Sequence, residues 1–505
     1  MKTDFDVIVV GGGGSGLAAA VGAAESGVEV VLLEKNPRLG GTTGIAIGSF
    51  TANRTSAQRS AGIDDNADRH AEDAAKFPPP EIEARNNRAL RRFFLGRGAE
   101  TFEWLVGMGL SFYGPNPEPP NRVPRMHNVV PNANAYIATL QARFLKLGGT
   151  IFRNAPVRDL LLSDGRVVGV TTEVDGEQGQ LQAARGAVLA TGDYANSPQI
   201  IAEHKGPQFA GIEGIDETAT GDGHLLAQRA GAKLLNMDVT YGPEIRFVPP
   251  PHKSLTQMLP TRGILARTMG QLMPLVPKFL VHAMIKRLLV TWQHPENALL
   301  DDGAILVNAL GERFSNEKLG PVREIAIAAQ PDKICYFLLD ERLIRRYSAW
   351  PHFISTAPEI AYAYVADYLR LRPDVAESAN SLDSIARRRG LPRKPLGDTV
   401  EAFNRYATGA SSDPWGRSGD TEPLGGDRWA LLGPAKAYFT TTEGGAAVDH
   451  QMRVLDPSDK PISGLYAAGQ VGLGGMILWG HGLHIAWALT SGRLAGRNAA
   501  SAERA

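Results

Sequence analysis

The sequence predicts an α/β fold: a parallel sheet that carries a small antiparallel meander, with an inserted α+β domain capping it. Three observations predict this. A strand, tight turn, helix and strand open the chain. Short alternating runs punctuated by Asp-Gly follow between residues 150 and 192. The pattern then breaks near Asp238 and returns only near Ala437.

The opening unit runs from Asp6 to Thr43. An apolar run from Asp6 to Val10 leads into GGGGSG (Gly11 to Gly16). An Ala-rich helical stretch then reaches Ser26, and a second apolar run, Val28 to Leu33, is closed by Glu34. In a chain with 56 glycines the bare G-x-G-x-x-G of Gly11, Gly13 and Gly16 says little, and its context gives it force. Gly11 permits the tight turn, Gly13 lets backbone approach a pyrophosphate, and Gly16 lets helix and strand pack closely, which makes the unit Rossmann-like. The helix start at Gly14 and Ser15 presents N–H groups to phosphate. Glu34, beside Lys35, stands where a carboxylate accepts hydrogen bonds from a ribose diol.

Length and composition set bounds. With 505 residues, two domains are the starting expectation, and the division read here is 1–237, 238–436 and 437–505, the middle segment being the cap. Lys plus Arg equals Asp plus Glu at 53 each, which argues against a dedicated nucleic-acid partner. The single cysteine, Cys335, lies in an apolar run and reads as core, so neither a zinc site nor an iron–sulfur cluster is expected within the chain. A strand beginning by residue 6 leaves no room for a signal peptide, and no run of eighteen apolar residues occurs. A soluble cytoplasmic protein without bound metal is therefore expected.

Thr55 to Leu147 reads as mainly helical, with Arg85, Arg88, Arg91 and Arg92 as a solvated helix face and a Pro- and Asn-rich loop from Phe112 to Asn134. Thr150 to Asn154, Val157 to Leu162 and Arg166 to Glu173 read as short strands, and Gly186 to Gly192 as a buried strand ending in Ala190-Thr191-Gly192. A final helix is expected from about Leu483 to Ala499.

Gly40-Gly41-Thr42-Thr43-Gly44 resembles the second glycine-rich turn of flavoproteins in the fumarate reductase/succinate dehydrogenase and 3-ketosteroid Δ1-dehydrogenase superfamily. Further stretches extend that resemblance over nearly the whole chain: ATGDYANS from Ala190, the segment around Gly221-Asp222-Gly223-His224, the cap signature Gly311-Glu-Arg-Phe-Ser-Asn-Glu317, and GLYAAG from Gly464 to Gly469. The resemblance implies non-covalent FAD, since no histidine stands near Gly40 to Gly48 where some members attach it. It also implies a Rossmann-like FAD-binding domain. Gly41, Thr42, Thr43 and Gly44 would run beside the flavin, and Ala190, Thr191, Gly192, Asp222, Gly469, Gln470, His484 and Ile485 would complete the site. The last helix would aim its N-terminus at the flavin pyrimidine, where negative charge grows on reduction.

Flavin carries the redox step, so the chain must place a substrate and move a proton. Family fumarate reductases hold dicarboxylates with cations at places that fall here on Gly242 or Pro243, Thr441 and Gly480. A small dianion is therefore not the expected substrate. Arg323-Glu324 resembles the pair in which a cap arginine delivers a proton, against the plain alternative of a helix-surface ion pair. The loop Gly472 to Gly482 is apolar and glycine-rich, closer to the ketosteroid dehydrogenases, where a glycine N–H and a tyrosine polarise a ketone. Gly482 matches that glycine, whereas Leu478 or Trp479 replaces the tyrosine. Tyr113, Tyr241 and His481 are the candidates to fill the gap.

Leu272 to Trp292 is apolar, with Lys278, His282 and Lys286 at helical spacing. It suits a lid over a lipophilic site, a membrane-surface foot, or a buried cap helix with one wet face. The expected activity is oxidation of a carbon–carbon bond beside the carbonyl of a hydrophobic, cyclic or steroid-like ketone, with an unidentified electron acceptor. The alternatives are an ene-reductase using Arg323 and a non-catalytic flavin-binding electron carrier.

Overall fold

The computed structural model of the chain describes residues 3–174, 176–251, 259–272, 276–357 and 361–504. Two hydrophobic cores organise it. The first is built on strands β1 (Asp4–Val10) and β2 (Val30–Leu33), which pair parallel with Val7 opposite Val30 and Val10 opposite Leu33. Every residue of β1 after Asp4 is buried, as a parallel strand covered on both faces must be. The strand Thr150–Phe152 extends the parallel sheet beyond β2, and Glu177–Leu189 followed by Pro461–Ala467 extends it beyond β1.

Helix α1 (Gly14–Ala24) is buried along its whole length because the C-terminal helix, Leu483–Ala500, lies against it. Their approach depends on glycine. A Cβ at Gly492 would stand 2.2 Å from the Ser15 carbonyl oxygen, and one at Gly496 would stand 1.9 Å from that of Ala19. No side chain fits in either place.

The meander strands Val157–Ser163 and Arg166–Val174 form where expected, whereas Thr150–Phe152 joins the parallel sheet and the buried strand read at Gly186 to Gly192 begins earlier. Glu177–Leu189 is one 13-residue strand, antiparallel to Arg166–Val174 at its start and parallel to β1 at its end. Two other expectations are corrected. The Pro- and Asn-rich loop contains strands Ser111–Asn116 and Met126–Val130, which form an antiparallel sheet with Ser49–Thr51. That pairing joins distant segments and leaves no local periodicity to read. The arginine face is not uniformly solvated either: Arg91 is buried and forks onto Glu83 at 2.6 and 2.7 Å, while Arg85 pairs with Asp238.

The second core lies around the strand Trp429–Phe439, which bonds to Cys335–Leu339, Glu244–Phe247, Ala376–Ala379 and Glu213–Gly214. Cys335 is buried within it, as its apolar run implied. The cap signature is explained by Glu317. Its fully buried carboxylate accepts two bonds from Arg313 at 2.8 Å and one from Arg417 at 3.0 Å. These three charge-assisted bonds, from two arginines, tie Arg417 to a point 100 residues earlier in the cap. Among the described residues no helix is long and apolar enough to cross a membrane, and no group of side chains is arranged to hold a metal ion.

Candidate active site

Two cavities meet at the start of the C-terminal helix. The first is a groove over the ends of β1 and β2. Gly11, with φ +106°, turns the chain off β1 and donates its N–H to Leu33 at 2.8 Å, and Ala190 donates to Val10 at 2.8 Å. These bonds hold the three strand ends together beneath the groove. Gly40 returns to donate to Gly12 at 3.0 Å, which brings Gly41, Thr42 and Thr43 to the opposite wall.

Gly11, Gly13, Gly14, Ser15, Glu34, Lys35, Gly41, Thr42, Thr43, Ala190, Thr191, Gly192, Asp222, Gly469, Gln470, His484 and Ile485 all line this groove. Gly16 and Gly44 do not. A Cβ on Gly16 would stand 1.8 Å from the Gly11 carbonyl oxygen, so this glycine serves helix–strand packing. Gly44 faces Asn134 and Ile137.

The groove fits a dinucleotide diphosphate. A Cβ on Gly13 would come no closer than 3.7 Å to any protein atom and would project into the space a phosphate needs. Gly13 offers α1 no side-chain cap, so the helix meets the groove with its backbone N–H groups and positive dipole end. Glu34 accepts bonds from Gly12 N at 2.7 Å and Asn36 N at 2.8 Å, which fix its carboxylate at the groove edge with lone pairs left for ribose hydroxyls. Lys35 points instead to Thr220 and Asp222, tying down the segment that closes this end.

Sequence reasoning passed over several lining residues. Asp216 takes a bond from the Thr42 hydroxyl at 2.8 Å. Asp193 is buried on the groove wall and accepts from Thr441 Oγ1 at 2.7 Å and Ala195 N at 3.1 Å. Burial pushes its pKa up to about 6, against the opposing pull of those bonds. Gln470 donates to Thr441 and to the Thr442 carbonyl, which completes a chain of polar contacts across the wall.

The second cavity is apolar. Met126, Val129, Val130 and Pro131 form one side, and Met269, Leu272, Ile285, Leu288 and Leu289 from the two cap helices Gly263–Leu272 and Lys278–Trp292 form the other. Its polar groups include Tyr113, Glu118 and His481. The His481 backbone N–H donates to Glu118 Oε1 at 2.8 Å, and its ring Nδ1 lies 2.6 Å from the same oxygen. The nearly buried Glu118 therefore fixes both the ring's orientation and its tautomer, leaving Nε2 as the nitrogen available for chemistry. The side chain of His481 is 55% open, and that surface belongs to the cavity wall. Burial alone would lower the imidazole pKa, but the bond to Glu118 and its charge outweigh that and raise it.

The two cavities adjoin. Ala46 lines the groove and Ile47 the cavity, while His484 lines the groove and His481 the cavity. His484 has its own carboxylate: Nε2 lies 2.9 Å from Oε1 of the fully buried Glu443, whose other oxygen accepts from Leu478 N. Two imidazole–carboxylate pairs thus flank the start of one helix, His481 just before its cap on the cavity and His484 in its first turn on the groove.

The other candidates lie elsewhere. Arg323 lines neither cavity. Its guanidinium is buried and engaged by Glu324 Oε1 at 2.6 and 2.8 Å, the Glu317 carbonyl at 2.8 Å and Asn297 at 3.0 Å. Tyr241 pairs with Thr441 in a two-residue ladder and packs edge-on against Trp479 at 5.4 Å. Burial pushes its pKa up to about 12. Gly482, at φ +79°, caps the C-terminal helix and accepts from Thr51 N at 3.3 Å. The side chains of Lys278 and His282 lie outside the described residues, as do residues 273–275. Lys286 faces the cap, 3.0 Å from Asp367. No cation stands at Gly242, Pro243, Thr441 or Gly480. Arg246, three residues beyond Pro243, is bonded to Glu244 at 2.8 Å and Thr440 at 3.1 Å.

Comparison with known proteins agrees with this geometry. The family described as FAD binding domain matches residues 6–482. The chain is 26% identical to a fumarate reductase (cytochrome) of Shewanella frigidimarina, covering 98% of this chain and 77% of that protein. It is 23% identical to a 3-oxosteroid 1-dehydrogenase of Mycolicibacterium smegmatis, covering 93% and 92%. Among solved structures, the open conformation of a flavocytochrome c3 fumarate reductase superposes with a TM-score of 0.71 at 25% identity, over 99% of this chain and 78% of that one.

Proposed function

The chain belongs to the FAD binding domain family and binds FAD, and from that premise we propose that it transfers hydrogen across a carbon–carbon bond beside the carbonyl of a hydrophobic ketone. It is an FAD-dependent dehydrogenase or reductase acting on CH–CH bonds. The observation that carries the substrate reading is the apolar cavity beside the FAD groove, with Tyr113 and the His481–Glu118 pair among its few polar groups.

FAD, when bound, exchanges hydride with substrate carbon. The chain's residues do the rest. The apolar walls from the cap helices hold a hydrophobic body and exclude water. The Tyr113 hydroxyl donates to the carbonyl oxygen, which acidifies the adjacent C–H. His481, oriented by Glu118, takes that proton at Nε2, and in the reverse direction returns it. The similarity to fumarate reductases supports the reverse direction on an unsaturated substrate, and the proton donor is then protonated His481. Arg323, engaged within the cap, supports its structure.

The test is anaerobic. Flavin absorbance of the purified protein is followed while cyclic ketones and 3-ketosteroids are added, and the pre-reduced protein is mixed with the matching enones. Bleaching by a ketone, or reoxidation by an enone, supports the reading. An inert flavin throughout, or reoxidation by unsaturated dicarboxylic acids alone, overturns it.

A further inference from the structure

Between Phe247 and Pro295 the chain holds no Asp or Glu and six cations, Lys253, Arg262, Arg267, Lys278, Lys286 and Arg287, in a protein whose charges balance as a whole. Lys286 turns inward to Asp367, whereas Arg262 and Arg287 are exposed. The same stretch brings large apolar side chains to the surface. In the helix Gly263–Leu272, Leu265 is 67% exposed and Leu272 is 51% exposed. They are seven residues apart, two helical turns, and so share one face. Leu272 also lines the apolar cavity, as does Ile47, itself 43% exposed, so the cavity opens to the outside beside this face.

We propose that this surface seats the protein on an anionic lipid bilayer. Leu265 and Leu272 enter the acyl boundary, Arg262 and Arg287 lie among headgroup phosphates, and the mouth of the cavity faces the membrane. Exposed leucines and one-signed charge together fit only such a surface: a nucleic acid satisfies the cations but leaves the leucines in water, and a neutral protein face does the reverse. The proposal concerns where the protein sits, and it stands whether or not the ketone reading of the cavity holds.

The experiment is flotation of the intact FAD-loaded protein with vesicles of phosphatidylcholine, alone or mixed with an equal part of phosphatidylglycerol. The protein is expected to float with the mixed vesicles, to remain below with phosphatidylcholine alone, and to be released by molar salt. Leu265→Glu and the pair Arg262→Glu, Arg287→Glu are expected to reduce flotation by about tenfold or more with flavin absorbance unchanged. Wild-type protein that stays below with the mixed vesicles overturns the proposal, as do variants that float as wild type does. Retention on a heparin column without flotation overturns it in favour of a polyanion.

Discussion

The groove and the cavity adjoin but are built from different materials. Backbone shapes the groove: Gly11, Gly13, Gly14, Gly41, Gly192 and Gly469 line it, and the bonds that fix it run between strand ends and turns. Side chains shape the cavity, and most of them are Met, Leu, Val and Ile with ordinary backbone. A site made of backbone admits little change, because a single Cβ in the wrong place abolishes it. A site made of apolar side chains can be re-cut by substitution while the fold persists. The same scaffold can therefore hold one cofactor and serve many substrates.

The largest effect that tests this contrast lies in the packing beneath the groove. Gly16→Ala places a Cβ 1.8 Å from the Gly11 carbonyl oxygen, and is expected to cost about 4 kcal/mol or more and to abolish folding. Gly13→Ala meets no protein atom closer than 3.7 Å. It should leave thermal unfolding of the flavin-free protein unchanged while weakening FAD by about 2 kcal/mol, roughly thirtyfold in Kd. Equal losses of stability in the two variants would break the distinction between a packing glycine and a cofactor glycine.

On the cavity side the expected effects fall on rate. His481→Ala should lower kcat by about 10²- to 10⁴-fold with the flavin content intact. Because Glu118 raises the His481 pKa, the neutral base accumulates only above the ordinary imidazole range, so oxidation of substrate should speed up as pH rises through and beyond neutrality. Glu118→Gln removes the carboxylate charge and should move that limb to lower pH. An unmoved pH profile would show that Glu118 serves structure alone.

Tyr113→Phe should cost about 1 kcal/mol of transition-state binding, roughly fivefold in kcat/KM, with FAD binding unaffected. Asp193→Asn gives the smallest effect on rate and a definite one on stability. The folded pKa of about 6 lies above the ordinary 3.8, so ionisation opposes folding: the penalty is absent below about pH 4 and complete above about pH 6. The variant should gain about 1 to 3 kcal/mol at pH 8 and nothing in acid, as read by denaturant unfolding at the two pH values.

The contrast also explains what the sequence made legible. Glycines at fixed spacing, a strand before them and an acid after them announce a backbone-built groove, and most of the residues read as contacting FAD line it. Asp193 and Asp216 escaped because their roles depend on partners such as Thr441 and Thr42, far away in sequence. The cavity had no motif to read. His481 stood out as a histidine in an apolar loop, but Glu118, its partner, lies 363 residues earlier in a segment that reads as loop. Arg323 looked catalytic by its place beside Glu324, and only the bonds to Glu317 and Asn297 show it to be part of the cap's interior.

The C-terminal helix has one more consequence. It supplies His484, Ile485 and Ala488 to a groove whose other walls come mostly from the first 222 residues, and its glycines lock against α1. On the ribosome, the opening unit emerges hundreds of residues before the wall that completes it. Capture of flavin therefore waits for this late helix, and a nascent protein must keep the bare face of α1 sheltered until residue 488 has cleared the exit tunnel.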